Sequence, residues 1–340
     1  MVKRVGFLMP RIASYENLRE AFLRAVKGKS TKKEVVLFRD RLDENLHLIK
    51  QLLLSNSYEF NNYRFFTICD PKQRVICAAS FQDRVVFHAV MRICHPVFDN
   101  FQIADSYACR VGKGTYRALE KAQLYCKKFE WFAKLDVCKY FDSIDHVILQ
   151  RQLCRLFKDP GLLSLFARII GSYSVNHHRG LPIGNLTSQY FANHYLSIAD
   201  HYVKEQMHIK AMVRYMDDIL LFSSSKEKLM ADVKELILFI KKQLKLDLHE
   251  PIINRTAFGV PFLGYVVKMD CLRLHQRSRN RFVKKMSNLS RLLEEGCIDD
   301  REYAERATCL MSFIDKADVN DFKYKISTQE GIYPYELEPC

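Results

Sequence analysis

Apolar positions recur every three to four residues from Lys226 to Leu244, where Leu229, Val233, Leu236, Ile237, Ile240 and Leu244 share one face. This spacing predicts an amphipathic helix. Similar spacing marks Glu34 to Leu54, Asp83 to Phe98 and about Ile144 to Phe157 as helical, and helix-like sequence runs through Asn193 and Asp200. Runs rich in β-branched and aromatic residues predict strands at Tyr58–Ile68, Arg74–Ala79, Phe132–Val137, Ala211–Met216 and Ile219–Ser223, with a last one near Leu246–Leu248. From Phe132 onward the order is β, α, β, β, α, β, the ferredoxin-like pattern, in which the first strand lies beside the central hairpin. No internal repeat, low-complexity tract or long Gly/Ser linker interrupts the chain, so subdomain borders are expected to be tight.

Length and charge narrow the class. A chain of 340 residues, 48% hydrophobic, buries substantial cores in two or three domains or subdomains. No signal peptide or membrane-length apolar run is evident, which predicts a cytoplasmic protein without a membrane partner. The net charge of +14 concentrates at Lys27, Lys29, Lys32 and Lys33 and at Arg273, Arg277, Arg279, Arg281, Lys284 and Lys285. A basic surface without an apolar anchor favours nucleic acid as the partner, although a solvated face reads the same way. The 11 cysteines lack a C-x-x-C pair and read as free thiols, while His177 and His178 lack further ligands at zinc spacing. The basic turn before Thr115 resembles a phosphate loop, but Tyr107 stands where the first Gly is required, leaving a helix start capped by Thr115.

One polar interruption carries chemistry. In RYMDDILLF, Asp217 and Asp218 stand between apolar runs. An Asp-Asp pair can be only a tight hairpin turn. Two carboxylates roughly 4 Å apart also repel by about 4 kcal/mol at an effective dielectric near 20, which calls for a shared proton or a cation. The first strand of the ferredoxin-like unit ends in KLDVCKYF, and alternation sets Asp136 opposite Leu135 and Val137. Strand order can therefore gather Asp136, Asp217 and Asp218 into a cluster for two Mg²⁺ ions, suited to activating a 3′-hydroxyl and stabilising in-line displacement at a phosphate. Asp142 and Asp145, in the strand-to-helix connection, read as caps.

With YMDD in a hairpin, LDVCKYF upstream and FLGYVV downstream, the chain resembles reverse transcriptases from about Tyr58 to Lys268. PKQRVICAASFQDRVVFHAV and DSYACRVGKGTYRA resemble the fingers of bacterial members. The segment GLPIGNLTSQYFANHYL departs from most of them: Ile183 replaces a Gln and Gln189 a Pro, giving I-G-x-x-x-S-Q. That variant is similar to reverse transcriptases of diversity-generating retroelements, which copy a template-repeat RNA into cDNA with errors opposite adenine. Retron, group II intron-like and phage-defence reverse transcriptases are the alternative, and a polymerase-derived RNA-binding protein is the non-enzyme alternative.

The resemblance implies an α+β right-hand polymerase: a basic helical region over 1–55, fingers over 56–131, a ferredoxin-like palm over 132–270 with a fingers portion near 150–185, and a small helical thumb over 271–340. It implies Asp136, Asp217 and Asp218 as catalytic, with Val137 joining them around Mg²⁺, for which Mn²⁺ can substitute. Lys72, Arg74, Tyr140, Phe141, Ile183, Gly184 and Gln189 fall at dNTP-binding positions, Phe141 as the gate that crowds a ribose 2′-hydroxyl. Arg110, Lys113, Tyr215, Met216, Arg281, Lys284 and Lys285 are expected to meet template RNA, primer or cDNA. In LKLDLHEPII, His249 is the candidate general acid, and in MSFIDKADV Asp315 stands where a His is usual. The resemblance further implies a basic oligomeric accessory variability protein and a bacterial, archaeal or phage source. With about seventy residues after the palm, neither an RNase H nor an integrase domain is expected.

Overall fold

In the computed structural model, which describes residues 3–69, 73–314 and 317, the chain starts as short helices that cover a long one. These are α1 (Met9–Ile12), α2 (Tyr15–Val26), α3 (Lys33–Asp40) and α4 (Leu42–Leu54). The continuous helix expected over Glu34 to Leu54 is broken at Arg41, where Asn45 Nδ2 donates to the Phe38 carbonyl at 3.0 Å and satisfies the end of α3. Strands β1 (Arg64–Ile68) and β2 (Arg74–Ala78) form an antiparallel hairpin. The expected strand start at Tyr58 is instead buried coil, because the Tyr58 hydroxyl donates to Asp83 Oδ1 at 2.8 Å. Asp83 lies in α5 (Phe81–Phe101), which Ser80 caps by accepting from the Asp83 amide. Helix α6 (Thr115–Lys128) has Gly114 as its N-cap, so Thr115 is its first residue rather than its cap.

Strand β3 (Trp131–Leu135) leads through α7 (Tyr140–Ser143), α8 (His146–Leu156), α9 (Pro160–Gly171) and α10 (Leu186–His201) to β4 (Met212–Tyr215) and β5 (Asp218–Ser223). Helix α11 (Lys226–Leu244) follows with the predicted bounds, and β6 (Ile252–Arg255) completes the unit. The antiparallel order β4-β5-β3-β6 is that of a ferredoxin-like sheet. The closing strand is later than expected: Leu248 makes only an isolated bridge to Val137, and the ladder on β3 is carried by β6. Asp145 does cap α8, accepting from the Val147 and Ile148 amides, whereas Asp142 lies inside α7.

Alternation along the sheet separates two cores. Ala133, Leu135, Met212, Ile219 and Leu221 face the helical side with α5, α10 and α11. Phe132, Val213, Leu220 and Phe222 face α6 and a second sheet of β7 (Val260–Phe262), β8 (Tyr265–Val267) and β9 (Leu272–Leu274). The C-terminal part was expected to be helical from about residue 271, but β9 comes first and completes that sheet. Helices α12 (Gln276–Glu294) and α13 (Asp300–Ile314) then pack as a pair. Asp315 lies outside the described residues, and no described helix is long and apolar enough to cross a membrane.

Candidate active site

The β4–β5 register pairs Tyr215 with Asp218, leaving Met216 and Asp217 as a two-residue connection. Met216 takes φ +56°, the positive value that a tight hairpin demands at its first central position. Because β5 pairs Leu135 with Ile219, continuing the register by one residue sets Asp136 opposite Asp218. Both carboxylates then share the sheet face of Leu220 and Phe222, with Asp217 at the turn beside them.

Their electrostatics is that of a crowded acidic site. Burial, then the charges of Asp218 and Asp136, push the Asp217 carboxyl up to about 6, against opposing pulls from its backbone amide and from Arg74. Lys134, two residues before Asp136 and on the same face, places Nζ 3.0 Å from Asp218 Oδ1. Among the described residues no three His, Cys, Asp or Glu side chains stand together at ligand spacing. The hard oxygen donors of the three aspartates nevertheless fit Mg²⁺ or Mn²⁺, and the repulsion that raises Asp217 is what a divalent ion relieves.

The other expected residues fall into three groups. Some adjoin the turn or the β1–β2 hairpin. Tyr215 accepts a hydrogen bond from Thr115 Oγ1 at 3.3 Å, and half-buried Phe141 gives its carbonyl to the Leu181 amide at 2.8 Å. Ile183 accepts from the Cys77 amide at 2.8 Å, which splices its segment onto β2. Gly184 has φ +114°, and a Cβ there would lie 2.9 Å from Ile76 Cγ2. Gln189 is exposed near the start of α10, within a weak 3.7 Å contact of Cys109 Sγ. Exposed Arg74 acts on Asp217 through its charge, while Lys72 lies outside the described residues.

Others are spent on the fold. The Tyr140 side chain is 3% exposed and donates to the Ala192 carbonyl, so its phenol does not line the site as expected. Val137 also buries its side chain. The bonds His249 N–H to Asp136 O and Cys138 N–H to Asp247 O flank it, leaving its own peptide groups directed away from that edge, toward the hairpin. Arg110, expected at the template, turns inward and donates to Asp99 Oδ1 and to the Ile103 and Ser106 carbonyls. Lys113 donates to the Ala104 carbonyl at 2.7 Å, and burial lowers its pKa. His249 holds Asp136 through its backbone and leaves its ring exposed. The last group, Arg281, Lys284 and Lys285, lies on α12, whose Phe282, Met286 and Leu289 are buried; Lys284 and Lys285 are exposed.

Two residues escaped the motif reading. Lys134 was accessible from alternation alone, since it shares Asp136's face. Arg214 carried a quieter signal, a charge on the helical-core face of a strand, and it is 0% exposed.

Four antiparallel strands in this order, with helices on one face and acidic residues at the hairpin tip, form the palm of a right-hand polymerase. The profile of the reverse transcriptase (RNA-dependent DNA polymerase) family matches residues 70–267, more than half of the chain, and the protein belongs to that family. A putative COX1/OXI3 intron 1 protein of Saccharomyces cerevisiae is 22% identical over 173 residues, 48% of this chain and 21% of the relative. Protein YkfC of Escherichia coli is 24% identical over 179 residues, 49% of this chain and 47% of the relative. The chain thus matches less than half the length of either. Among solved structures, apo telomerase from Candida tropicalis gives a TM-score of 0.48 at 13% identity, covering 64% of this chain and 55% of that one.

Proposed function

We propose that the protein is an RNA-directed DNA polymerase that uses Asp136, Asp217 and Asp218 to hold divalent ions. The observation that carries this reading is the β3–β5 register, which ends at Leu135–Ile219 one residue short of Asp136 and Asp218, with Asp217 raised to about 6 by burial and its two acidic neighbours. When bound there, Mg²⁺ or Mn²⁺ would supply Lewis-acid activation of a primer 3′-hydroxyl and charge neutralisation at the α-phosphate. The chain's own residues position and select. Arg74 offers a guanidinium to the triphosphate, Phe141 crowds the ribose, and the Ile183–Gly184 segment, fastened to β2, limits movement beside the incoming base. The thumb would begin with α12, after β9, and α12 would offer basic side chains to the nucleic acid. Metal-dependent dNTP incorporation on an RNA template and DNA primer, abolished in Asp217→Ala, tests the assignment; incorporation by that variant at the wild-type rate refutes it.

Within this activity, the reading supported by I-G-x-x-x-S-Q is cDNA synthesis from a template-repeat RNA, error-prone at template adenines, in a cytoplasmic diversity-generating element served by a basic accessory protein. Ile183 cannot hydrogen-bond where a Gln would, and apolar contact discriminates far less than polar contact. Ile183→Gln is expected to lower misincorporation opposite adenine most; equal error spectra at all four template bases in the variant and wild type would refute the role. A second reading, an intron-type reverse transcriptase, is favoured by the name of the Saccharomyces cerevisiae intron 1 relative. A template repeat in neighbouring DNA that differs from a nearby gene only at adenines separates the two.

A further inference from the structure

We propose that Arg214 is the positioning residue of the Asp217–Asp218 turn, held from behind by a buried polar plug of Asp200, Asn193, Gln102 and Ser106; this rests on the carboxylate assignment above. The guanidinium is 0% exposed and so is the Asp200 side chain. Nε donates to Asp200 Oδ1 at 2.7 Å and Nη2 to Oδ2 at 2.5 Å, a bidentate pair. Nη2 also reaches Gln102 Oε1 at 3.0 Å and Ser106 Oγ at 3.1 Å. Nη1 donates to Asn193 Oδ1 and to the Met216 carbonyl, both at 2.8 Å.

That last bond makes the plug more than a core ion pair. The Met216 carbonyl belongs to the peptide that enters Asp217, and Met216 is the positive-φ residue of the turn. Arg214 lies on the helical-core face, opposite the face of Asp136 and Asp218, so it fixes the turn without occupying the space a substrate needs. Its backbone is tied as well: its amide donates to the Asp105 carbonyl and its carbonyl accepts from Tyr107, both at 2.9 Å. Through the Arg214 side chain the turn is joined to α10 and to the C-cap and following loop of α5. A lysine keeps the charge but cannot serve Asp200, Asn193 and Met216 together.

Arg214→Lys tests the proposal, with Asn193→Ala as a milder variant loosening the same nitrogen. Asp159→Ala is the stability control, because that buried cap bonds the Leu8 and Met9 amides far from the hairpin. Amide exchange over Tyr215–Asp218 should accelerate about tenfold or more in Arg214→Lys, less in Asn193→Ala, and not in the control. Mn²⁺ binding to the protein without nucleic acid should weaken, and kcat should fall about tenfold or more with KM for dNTP within about twofold. Unchanged exchange in both plug variants, or a loss of kcat no greater than that of an equally destabilised Asp159→Ala, overturns the proposal. Absence of metal-dependent synthesis in the wild type overturns the polymerase reading instead, and the exchange measurement still decides the anchor.

Discussion

Replacing Asp217 with Asn should make the metal-free protein more stable while abolishing synthesis. Burial and the charges of Asp218 and Asp136 move the Asp217 carboxyl from 3.8 to about 6, so the native chain binds this proton more tightly than the unfolded chain does. Stability is therefore unaffected by this group below about 3.8, falls as pH rises toward 6, and stays lowered above it. A shift of this size corresponds to at most about 3 kcal/mol, discounted to about 2 kcal/mol because Asp217 retains some solvent contact. With an unfolding entropy of about 2.1 cal/mol/K per residue, that is about 3 °C in Tm for this chain. Thermal unfolding in EDTA at pH 7.5 should show Asp217→Asn above the wild type by this margin, and the gap should shrink toward pH 4. Mn²⁺ should narrow it from the other side by stabilising the wild type. An Asn variant equal to or less stable than the wild type at pH 7.5, or a gap that persists undiminished at pH 4, refutes the account.

Lys134→Met removes the ammonium 3.0 Å from Asp218; it should lower metal-free stability by up to about 1 kcal/mol and tighten Mn²⁺ binding several-fold, as read by calorimetry. Phe141→Ala should raise ribonucleotide incorporation relative to dNTP in primer extension, with little change in dNTP kcat. Gly184→Ala forces a Cβ to 2.9 Å from Ile76 Cγ2 at φ +114°; a loss of about 1–3 kcal/mol in urea unfolding, with a raised KM for dNTP, is expected.

The parts legible in the sequence were those governed by a single period. Helix α11 shows all of its buried stripe in the spacing from Leu229 to Leu244, and the β, α, β, β, α, β order fixes which strand must lie beside the hairpin. Asp136 follows from those two facts. The strands β7, β8 and β9 were missed because three residues are too few to display alternation. Tyr140 and Arg110 were misjudged for another reason: motif position says where a residue stands along the chain, whereas the Ala192 carbonyl and the Asp99 carboxylate that claim their polar atoms come from distant or unmarked segments. His249, read as a candidate general acid, meets Asp136 through its amide and leaves its ring exposed.

Arg214 and Asp217 show how one short hairpin accommodates two opposed demands. A site for divalent ions needs carboxylates held closer than they would choose, and that repulsion acts to open the turn that carries them. Alternation places the remedy on the other face of the same sheet. There a guanidinium, closed off from water and paired with Asp200, bonds the peptide that leads into Asp217. Hydrophobic residues at 214 and 200 together would pack that core without the desolvation cost of a buried ion pair, but would leave the Met216 carbonyl unheld. The buried charge is thus accounted for by the geometry of the turn rather than by stability, and the plug and the acidic cluster are two halves of one device.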